Sequence, residues 1–567
     1  MEAKMRSSIK LLFLLTTLLL PTLLLSIHLC WVLSYDGPNN GFDEAHAITI
    51  DKDGYIYVAG ESEGEGTSND FCVLKYHPDG GDPIWEARYD HQDQGNSQVD
   101  IPCAIAVDKW GNVYVTGKTY FSEDQIDYLT VKFNSNGVVQ WAKTYDTTGL
   151  NDLAAGIVLD ADCYVYVTGK SKESDANSWD YLTIKYNPTT GARVWIKRYN
   201  GPRNGEDEAT AIAVGQSDYI YVTGSSKQRQ GSAFDYWTLK YDPDNGDQLD
   251  SARYNGSGDA RDEANDIAVD KWGNVYVTGT SSISGSRSQD YATIKYNSDL
   301  DEKWVRTYNG RGGDEDEAHA ITTDILGNVY VTGQSDIEDP LIATNWDYAT
   351  IKYTSDGKLC WDTTYNGPAN GWDMAYAIAT DNLGNVYVTG KSEGIYQNEK
   401  TYDYATIKYD STGDVKMVDR YNGAENGVDR ANAIAVTIST PPNPADDSVF
   451  IYVTGGSDTE NYWDYVTIKW AEIVGRSRGT QGSGFVIKPA YLDFNCRMTG
   501  SSFTIRLKNE ALNEIVTLRI YNVLGHLVYS EKTNKGFFTV TELPSGIYIL
   551  RIEAKGYTET GRVIVVK

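Results

Sequence analysis

The chain has 567 residues and is strongly acidic, with 79 aspartates and glutamates against 50 lysines and arginines and a formal net charge of −29. A surface of that charge repels nucleic acid and anionic lipid head groups, so we expect neither as a partner. Aromatic residues make up 12% of the chain and most of them are tyrosines, which favours packed strands over disorder.

The opening segment is basic and then apolar. The basic residues are Lys4, Arg6 and Lys10, and the apolar run that follows them covers residues 11–25. This order is typical of a secretory signal peptide. Pro21 lies within a run of barely membrane-spanning length, which disfavours a stable membrane anchor. The sequence therefore predicts a signal peptide over residues 1–30 that exports the protein.

A repeat of about fifty residues dominates the rest of the chain, and such a period with strand-like content is typical of radial or solenoid folds. Each copy contains a phrase similar to "VYVTG", and its glycine recurs every 52 to 57 residues, with a last step of 65. These second-strand glycines are Gly60, Gly117, Gly169, Gly224, Gly279, Gly333, Gly390 and Gly455.

The fifth copy shows how four strands make one repeat. The phrases "VYVTG" (275–279) and "DYATIKY" (290–296) are rich in β-branched and aromatic residues, so each predicts a strand. The turn "KWGN" (271–274) has the composition of a tight hairpin. An alternating segment (266–270) precedes this turn and "KWVRTYNG" (303–310) follows the third strand. Each copy therefore predicts one four-stranded propeller blade.

Along the sequence, the outer strands are offset by one copy of the repeat from the other three strands of each blade. The first outer strand, Trp31–Tyr35, precedes the first complete blade, whereas the last third strand, Asp464–Trp470, has no outer strand after it. The N-terminal strand should therefore complete the last blade and remove the open edges of the ring. The sequence predicts an all-β fold in which an eight-bladed β-propeller, closed by an N-terminal outer strand, spans residues 31–470.

In the phrases "GNVYVTG" and "DYATIKY" the chain resembles the SBBP-type beta-propeller repeat family of secreted bacterial and archaeal proteins. The resemblance covers residues 31–470 and implies the propeller fold. The family name implies seven blades, whereas the copies in this sequence number eight.

A linker and a second β module follow the last repeat. Residues 471–490 include the stretch "GRSRGTQGSG", which is typical of a linker. The segments of residues 491–567 alternate apolar and polar residues and predict a small β-sandwich of roughly seven strands. The phrases "IYNVLG" and "LPSGIYIL" and the terminal lysine resemble the C-terminal sorting domain of the type IX secretion system. This resemblance implies a second export step, interaction with that machinery, and a secreted or outer cell-surface location.

Two aspartates and one lysine recur in every copy. The entry aspartates, which precede the inner strands, are Asp43, Asp100, Asp152, Asp207, Asp262, Asp316, Asp373 and Asp429. The third-strand aspartates are Asp70, Asp127, Asp180, Asp235, Asp290, Asp347, Asp403 and Asp464, and each has a lysine five residues later. A catalytic site needs one asymmetric group of residues, whereas these residues repeat in all copies. We therefore expect the aspartates to cap backbone N–H groups, the lysines to pair with aspartates, and no catalytic residue among them.

Calcium binding is the alternative for the acidic turns. The turn "DPDNGD" offers Asp242, Asp244 and Asp247, but its glycine comes one place early and the later bidentate glutamate is missing. We therefore predict no metal site and no cofactor, with calcium at these three aspartates as the alternative.

The loops between the second and third strands differ in every copy, and function usually lies on variable loops held by a rigid framework. Five of these loops end in an aromatic residue that could stack on a sugar or anchor a protein. These rim aromatics are Trp179, Phe234, Trp346, Tyr402 and Trp463. The structural alternative is that the rings cap the blade edges.

The sequence thus predicts a monomeric, non-catalytic binding or adhesion module for an extracellular glycan or protein. One alternative is a polysaccharide lyase or hydrolase built on an asymmetric group of residues. The other is a structural component of a surface layer.

Overall fold

The computed structural model describes residues 27–475, apart from short loop segments, and the strands of the C-terminal region. The described ranges are 27–93, 96–122, 125–146, 149–173, 178–201, 204–227, 233–257, 260–282, 288–310, 315–336, 345–396, 399–423, 426–438, 446–459, 462–475, 493–499, 502–508, 516–522, 527–533, 537–541, 546–554 and 557–565. Residues 1–26 of the predicted signal peptide and residues 476–490 of the predicted linker lie outside them.

Residues 27–475 form eight four-stranded antiparallel sheets, each of which is one blade. The first strand in the chain is β1 (Ile27–Tyr35). Blade 1 contains β2 (Asp43–Ile50), β3 (Ile56–Glu63), β4 (Asn69–Tyr76) and β5 (Trp85–Tyr89). A small hairpin of β6 (Gln92–Asp93) and β7 (Asn96–Ser97) follows. Blade 2 contains β8 (Val99–Val107), β9 (Val113–Ser122), β10 (Gln125–Phe133) and β11 (Val139–Tyr145).

The next three blades repeat this order from the inner to the outer strand. Blade 3 contains β12 (Asp152–Leu159), β13 (Val165–Lys172), β14 (Trp179–Tyr186) and β15 (Arg193–Tyr199). Blade 4 contains β16 (Asp207–Val214), β17 (Ile220–Lys227), β18 (Phe234–Tyr241) and β19 (Gln248–Tyr254), with a short 3-10 turn (Gln216–Asp218) after β16. Blade 5 contains β20 (Asp262–Val269), β21 (Val275–Ser282), β22 (Gln289–Tyr296) and β23 (Glu302–Tyr308).

The last three blades complete the ring. Blade 6 contains β24 (Asp316–Thr323), β25 (Val329–Asp336), β26 (Trp346–Tyr353) and β27 (Leu359–Tyr365). Blade 7 contains β28 (Asp373–Thr380), β29 (Val386–Tyr396), β30 (Glu399–Tyr409) and β31 (Val415–Tyr421). Blade 8 contains β32 (Asp429–Ile438), β33 (Asp446–Thr459), β34 (Tyr462–Gly475) and, as its outer strand, β1.

The N-terminal strand closes the propeller as the sequence predicts. Strand β1 pairs antiparallel with β34, from Ile27 opposite Glu472 to Tyr35 opposite Tyr465. Neighbouring inner strands contact one another around the ring, and β32 of blade 8 lies against β2 of blade 1. The Tyr465 hydroxyl donates to the carbonyl of Cys72 at 3.3 Å across this last seam, by which we mean the boundary between two neighbouring blades. The eight-bladed ring is therefore closed.

The second-strand glycines permit close packing on the inner strands. In blade 3 a β-bulge lies between Ala154 and Gly156, and Gly169 is opposite it in the next strand. A Cβ atom at Gly169 would overlap the carbonyl oxygen of Leu153, and the corresponding glycines of the other blades meet the same obstacle. The glycine therefore recurs because a side chain does not fit there.

The recurrent lysines hold neighbouring blades together, mostly through backbone carbonyls and not through aspartates as predicted. Lys132 Nζ of blade 2 donates to the Pro188 carbonyl in a turn of blade 3 at 2.6 Å, and Trp141 Nε1 donates to the same oxygen at 3.2 Å. The same donation to a turn of the next blade is made by Lys185, Lys295, Lys352 and Lys469. Two lysines do reach an aspartate as predicted, since Lys240 lies 2.9 Å from Asp299 and Lys185 lies 3.7 Å from Asp160, and Lys408 pairs with Glu472. A backbone acceptor is present in every turn whatever its sequence, which explains this preference.

The entry aspartates cap backbone N–H groups as predicted. Asp207 Oδ2 accepts from the N–H of Gly201 at 2.7 Å, in the loop that enters blade 4. Equivalent bonds run to Asp262, Asp316, Asp373 and Asp429. These residues therefore have a structural role that is repeated around the ring.

The C-terminal region contains two further antiparallel sheets. Its strands are β35 (Asp493–Thr499), β36 (Ser502–Lys508), β37 (Val516–Asn522), β38 (Leu527–Thr533), β39 (Phe537–Thr541), β40 (Gly546–Ala554) and β41 (Tyr557–Val565). The orders are β35-β36-β39 and β38-β37-β40-β41. The packing of these sheets into a sandwich stays a prediction. Among the described residues no helix has the length and apolar character needed to cross a membrane.

Candidate functional site

Three positions near the start of each inner strand vary from blade to blade. The residue after the entry aspartate is Glu44, Ile101, Leu153, Glu208, Glu263, Glu317, Met374 or Arg430. The third residue after it is His46, Cys103, Ala155, Thr210, Asn265, His319, Tyr376 or Asn432. The residue after the second-strand glycine is Glu61, Lys118, Lys170, Ser225, Thr280, Gln334, Lys391 or Gly456. Because inner strands start at the face with the variable loops, these positions surround the axis on that face.

The β-bulge of the inner strand frees one of these side chains to reach the next blade. Thr210 Oγ1 donates to the Ala264 carbonyl at 2.8 Å, and Asn265 Nδ2 donates to the Ala318 carbonyl at 2.7 Å. His319 Nδ1 lies 2.7 Å from the Ala375 carbonyl in the same arrangement. The bulged residue can therefore change in type while it still links two blades.

An asymmetric ion pair lies where blades 8 and 1 meet. Arg430 donates from Nε and Nη2 to the two carboxylate oxygens of Glu44, at 2.7 and 2.6 Å. Asn432 Nδ2 adds a third bond to Glu44 at 2.8 Å. Glu44 is only 1% exposed, and burial alone would raise its pKa, but the bonds from Arg430 hold that pKa below its ordinary value. Glu44 is thus a buried carboxylate whose charge is paired.

A histidine and a second glutamate extend this group within blade 1. His46 Nε2 lies 3.1 Å from Glu61 Oε1, within hydrogen-bond distance. Asn69 Nδ2 donates to the other oxygen of Glu61 at 2.7 Å. Glu61 therefore orients the imidazole of His46, which is one-fifth exposed at the surface.

Blade 7 adds two tyrosines and a lysine. The His319 ring stacks on Tyr376 with centroids 5.9 Å apart, and the Lys391 ammonium lies 4.9 Å from the centre of the Tyr402 ring. Burial raises the pKa of Tyr376 to about 12. Burial, and then the charge of Arg430, lower the pKa of Lys391. Lys391 and Arg430 are therefore two cations close enough to repel each other.

We call this set the polar arc. It consists of His319, Tyr376, Lys391, Arg430, Glu44, His46 and Glu61. On blades 2 and 3 the same positions hold mostly apolar or small residues such as Ile101, Leu153 and Ala155. Blades 4 and 5 are polar at these positions as well, and Glu208 of blade 4 pairs with Lys170 of blade 3 at 3.0 Å. The polar arc differs from them in its buried carboxylate, since Glu44 is 1% exposed whereas the Glu208 side chain is 31% exposed.

The predicted rim aromatics lie on the same face, but each is already in contact with a cation or another ring. Trp179 lies 4.8 Å from Lys170 Nζ and 4.6 Å from Lys172 Nζ, measured to the ring centre. Trp346 packs against Trp372 with centroids 5.5 Å apart. These contacts favour the structural alternative for both tryptophans, and a ligand at either stays a prediction.

The other three rim aromatics differ in their surroundings. Trp463 stacks on Phe42 and receives the Arg430 guanidinium at 4.8 Å, so it and Tyr402 adjoin the polar arc. Phe234 is only 8% exposed, with Lys227 over its ring at 4.3 Å. Phe234 therefore does not offer a ring face to a ligand, because burial in its own blade covers it.

The calcium alternative at the "DPDNGD" turn gains no support from the geometry. Asp242 Oδ1 accepts the N–H of Asp244 at 2.8 Å, and Asp247 pairs with Lys197 at 3.1 Å. Groups of three converging carboxylate or histidine ligands do occur in the described part of the chain, but none contains these aspartates. The turn uses its carboxylates for its own backbone and for a neighbouring lysine.

The polar arc was not predicted from the sequence. Its residues occupy positions that look like ordinary strand residues in a single copy, and the predicted closure of the ring places blades 7, 8 and 1 side by side without showing which of their side chains meet. An alignment of the eight copies by their second-strand glycines would have shown that the residue type differs from blade to blade at these positions.

Comparison with known families gives three matches. A beta-propeller repeat family, SBBP, matches residues 252–285, 306–340 and 369–397. A beta-propeller domain of unknown function matches residues 52–80. A secretion system C-terminal sorting domain matches residues 499–567. No curated protein is significantly similar in sequence.

Several solved structures are similar in architecture. A europium-containing methanol dehydrogenase has 12% identity and a TM-score of 0.46, over 76% of this chain and 85% of that one. The polysaccharide lyase Uly1 has 12% identity and a TM-score of 0.38, over 64% and 89%. Sqt1 from Chaetomium thermophilum has 12% identity and a TM-score of 0.41, over 72% and 94%.

The family matches agree with the fold and with the sequence phrases. The C-terminal match indicates export by type IX secretion, which delivers a protein to the cell surface or the extracellular space and requires interaction with that machinery. The repeat matches fall on blades of the closed ring. The chain therefore contains SBBP beta-propeller repeats and, at its C-terminal end, a sorting domain of the type IX secretion system.

Proposed function

We propose that this protein is a non-catalytic extracellular binding module that holds an anionic glycan at the polar arc. The observation that carries the proposal is the pair of adjacent cations, Lys391 and Arg430, beside the rings of Tyr402 and Trp463. Guanidinium and ammonium groups bind carboxylate and sulfate, and aromatic faces stack on sugar rings.

The charge balance of the arc favours an anionic ligand. Arg430 is neutralised by Glu44, but only burial and the repulsion from Arg430 act on the pKa of Lys391. No carboxylate of the described residues forms an ion pair with Lys391. A uronate or sulfate group placed there would supply the missing negative charge.

The state of the carboxylates favours binding over catalysis. Both oxygens of Glu44 accept bonds from Arg430, and both oxygens of Glu61 have partners in His46 and Asn69. A general acid or base needs a carboxyl group that is free to exchange its proton with a substrate. These two glutamates instead fix the positions of the cation and the imidazole.

A glycan array probed with the full mature chain tests the proposal. We expect binding to uronate- or sulfate-bearing polysaccharides and an affinity about tenfold lower for Lys391→Gln, because one charged contact is lost. Gln334 holds the same position in blade 6, so the variant is expected to fold. Lys170→Gln, the equivalent change in blade 3, is the matched control and should bind normally. Equal binding by both variants, or binding to proteins but to no anionic glycan, would contradict the proposal.

A polysaccharide-cleaving enzyme is the second candidate, because His46 is hydrogen-bonded to Glu61 in the manner of an oriented base. The test is the release of new chain ends from the polysaccharides that the array identifies. His46→Ala is a suitable variant, since Ala155 holds this position in blade 3. Turnover that is lost in His46→Ala while binding persists would replace the non-catalytic assignment.

A further inference from the structure

Every seam between neighbouring blades brings two aspartates together. The third-strand aspartate of one blade approaches the entry aspartate of the next, and the residue that follows the outer strand begins the loop that leads to that entry aspartate. In five seams this residue is an asparagine: Asn200, Asn255, Asn309, Asn366 or Asn422. In three seams it is an aspartate: Asp36, Asp90 or Asp146. In each of these three, one oxygen from every carboxylate lies within 4.8 Å of the other two.

An outer-strand arginine neutralises the third-strand aspartate in half of the blades. Arg198 Nη1 lies 3.1 Å from Asp180, and the same pairing occurs for Arg88, Arg253 and Arg420. Blades 2 and 8 have Thr144 and Ser34 at this position. Only these two blades combine the loss of the arginine with the additional aspartate.

The seam between blades 2 and 3 differs from the next seam by two charges. At the end of its outer strand, blade 3 has Arg198 and Asn200, which belong to the seam between blades 3 and 4. At the same two positions blade 2 has Thr144 and Asp146, which belong to the seam between blades 2 and 3. One positive charge is replaced by a neutral group and one neutral group by a negative charge. A divalent cation would restore the balance.

The carboxylate at the centre of this seam is buried and incompletely satisfied. Asp127 is 1% exposed, and its Oδ1 atom has no hydrogen-bond partner. Burial, and then the charges of Asp146 and Asp152, raise the pKa of Asp127 to about 7. Arg198, the guanidinium on the blade 3 side, is directed to Asp180 and to Ser171, and the Ser171 hydroxyl in turn donates to Asp152. A buried carboxylate oxygen without a partner costs free energy, and a bound cation removes that cost.

We propose that the seam between blades 2 and 3 binds a divalent cation of the calcium class through Asp127, Asp146 and Asp152. Hard cations of this class prefer carboxylate oxygens and complete their shell with water and backbone carbonyls. The ion would tie the third strand of blade 2 to the inner strand of blade 3. The seam between blades 8 and 1 has the same composition in Asp464, Asp36 and Asp43, but Asp464 is only partly buried whereas Asp127 is buried, so we expect a second, weaker site there.

The substitution Asp146→Asn tests the proposal without loss of the fold, because asparagine occupies this position in five other seams. The full mature chain is first treated with chelator, and calcium binding is then measured by calorimetry together with the melting temperature. We expect calcium to bind and to raise the melting temperature of the natural chain. Asp146→Asn should weaken the tighter site by at least about tenfold, since one charged ligand is lost.

Two further substitutions distinguish calcium binding at these two seams from nonspecific attraction of calcium to acidic residues. Asp90→Asn removes the same charge in the seam between blades 1 and 2, where Arg88 is present, and should leave calcium binding unchanged. Asp36→Asn should remove only the weaker binding step. No calcium binding by the chelator-treated natural chain, or the same response from Asp146→Asn and Asp90→Asn, would overturn the proposal.

Discussion

The two faces of the propeller are built from the same strands, yet the repeats vary much more on one of them than on the other. On the turn face, where the first and second strands are joined, Asp270 Oδ1 accepts the N–H groups of Trp272 and Asn274, each at 2.9 Å. Its other oxygen accepts the Tyr276 hydroxyl at 3.0 Å. The same bonds recur at Asp108, Asp324 and Asp381. A side chain that satisfies its own backbone cannot change without a loss of stability.

The loop face, which carries the variable loops, places less demand on its side chains. The entry aspartate satisfies the backbone of the incoming loop, and the second-strand glycine accommodates the bulge. The residues between them bond to other side chains, as Glu44 does to Asn432 and His46 to Glu61. Because the entry aspartate and the second-strand glycine satisfy the backbone on this face in the same way in each blade, the other side chains there can differ and can serve a function.

Removal of the closing strand β1 should lower the stability of the propeller more than the other changes considered below. Trp31, Leu33 and Tyr35 pack into the core between blades 8 and 1, and without β1 the edge of β34 is exposed. A chain that begins at Asp36 should lose on the order of 5 kcal/mol of unfolding free energy and aggregate on heating. Thermal unfolding by circular dichroism measures this, with a chain that begins at Ile27 as control. Equal melting temperatures would show that β1 does not close the ring.

Two substitutions in blade 3 test whether the second-strand glycine is required for packing against the β-bulge of the inner strand. Gly169→Ala places a methyl group on the Leu153 carbonyl and should cost about 3 kcal/mol. Gly156→Ala introduces the residue that blades 1, 2, 4, 6, 7 and 8 already have at this position, and its Cβ would lie 3.0 Å from the Ile212 side chain, which can adjust. Its effect should be within about 1 kcal/mol. Chemical denaturation distinguishes the two, and a similar cost for both would refute the role of the bulge.

The ion pair of the loop face is tested by a double-mutant cycle between Glu44 and Arg430. Methionine is a suitable replacement for both, because Met374 holds this position in blade 7. Arg430→Met leaves a buried carboxylate unpaired and should cost about 2 kcal/mol, less than for a fully buried pair because Arg430 is 41% exposed at its side chain. The double variant should regain most of that loss. Additive effects of the two single changes would show that the pair is not coupled.

The smallest expected effect is a dependence of stability on pH that arises in the seams. Burial, and then the charges of Asp373 and Asp336, raise the pKa of Asp347 to about 8, and burial raises that of Asp373 to about 6. The folded chain therefore binds more protons than the unfolded chain between about pH 4 and pH 8. Its unfolding free energy should be greatest near the lower end of this window and should fall as the pH rises through the folded-state pKa values.

This pH dependence is measured as the melting temperature in chelator from pH 5 to pH 8. Asp347→Asn should flatten the profile, because asparagine does not titrate. A stability that increases with pH across this range would contradict the assignment of raised pKa values.

The fold was largely predictable from the sequence, because its determinants are local and repeated. The strand phrases set the four strands of each blade, and the displacement of Trp31–Tyr35 by one copy set the closure. The hydrogen bonds from backbone N–H groups to the entry aspartates could be predicted from the same regularity. The lysine partners did not, since a backbone carbonyl in the next blade leaves no sign in the sequence.

The candidate site was mostly out of reach of the sequence for the opposite reason. The bond between Glu44 and Arg430 joins residues at the two ends of the propeller, which meet only when the ring closes. Of the rim aromatics, Tyr402 and Trp463 adjoin the polar arc, but nothing in the loops distinguished them from the buried Phe234. Asymmetry in a repeat protein becomes visible only when each blade is placed beside its neighbours.

Hydrogen exchange of the full mature chain, with and without the anionic glycan that the array identifies, is the most direct test of where the ligand binds. If the loop face carries the function, protection will be confined to the polar arc and the rings beside it, namely the starts of β24, β28, β32 and β2 and the residues around Glu61, Lys391, Tyr402 and Trp463. Protection at the hairpins of the turn face, such as residues 270–274, would contradict the assignment of function to the polar arc.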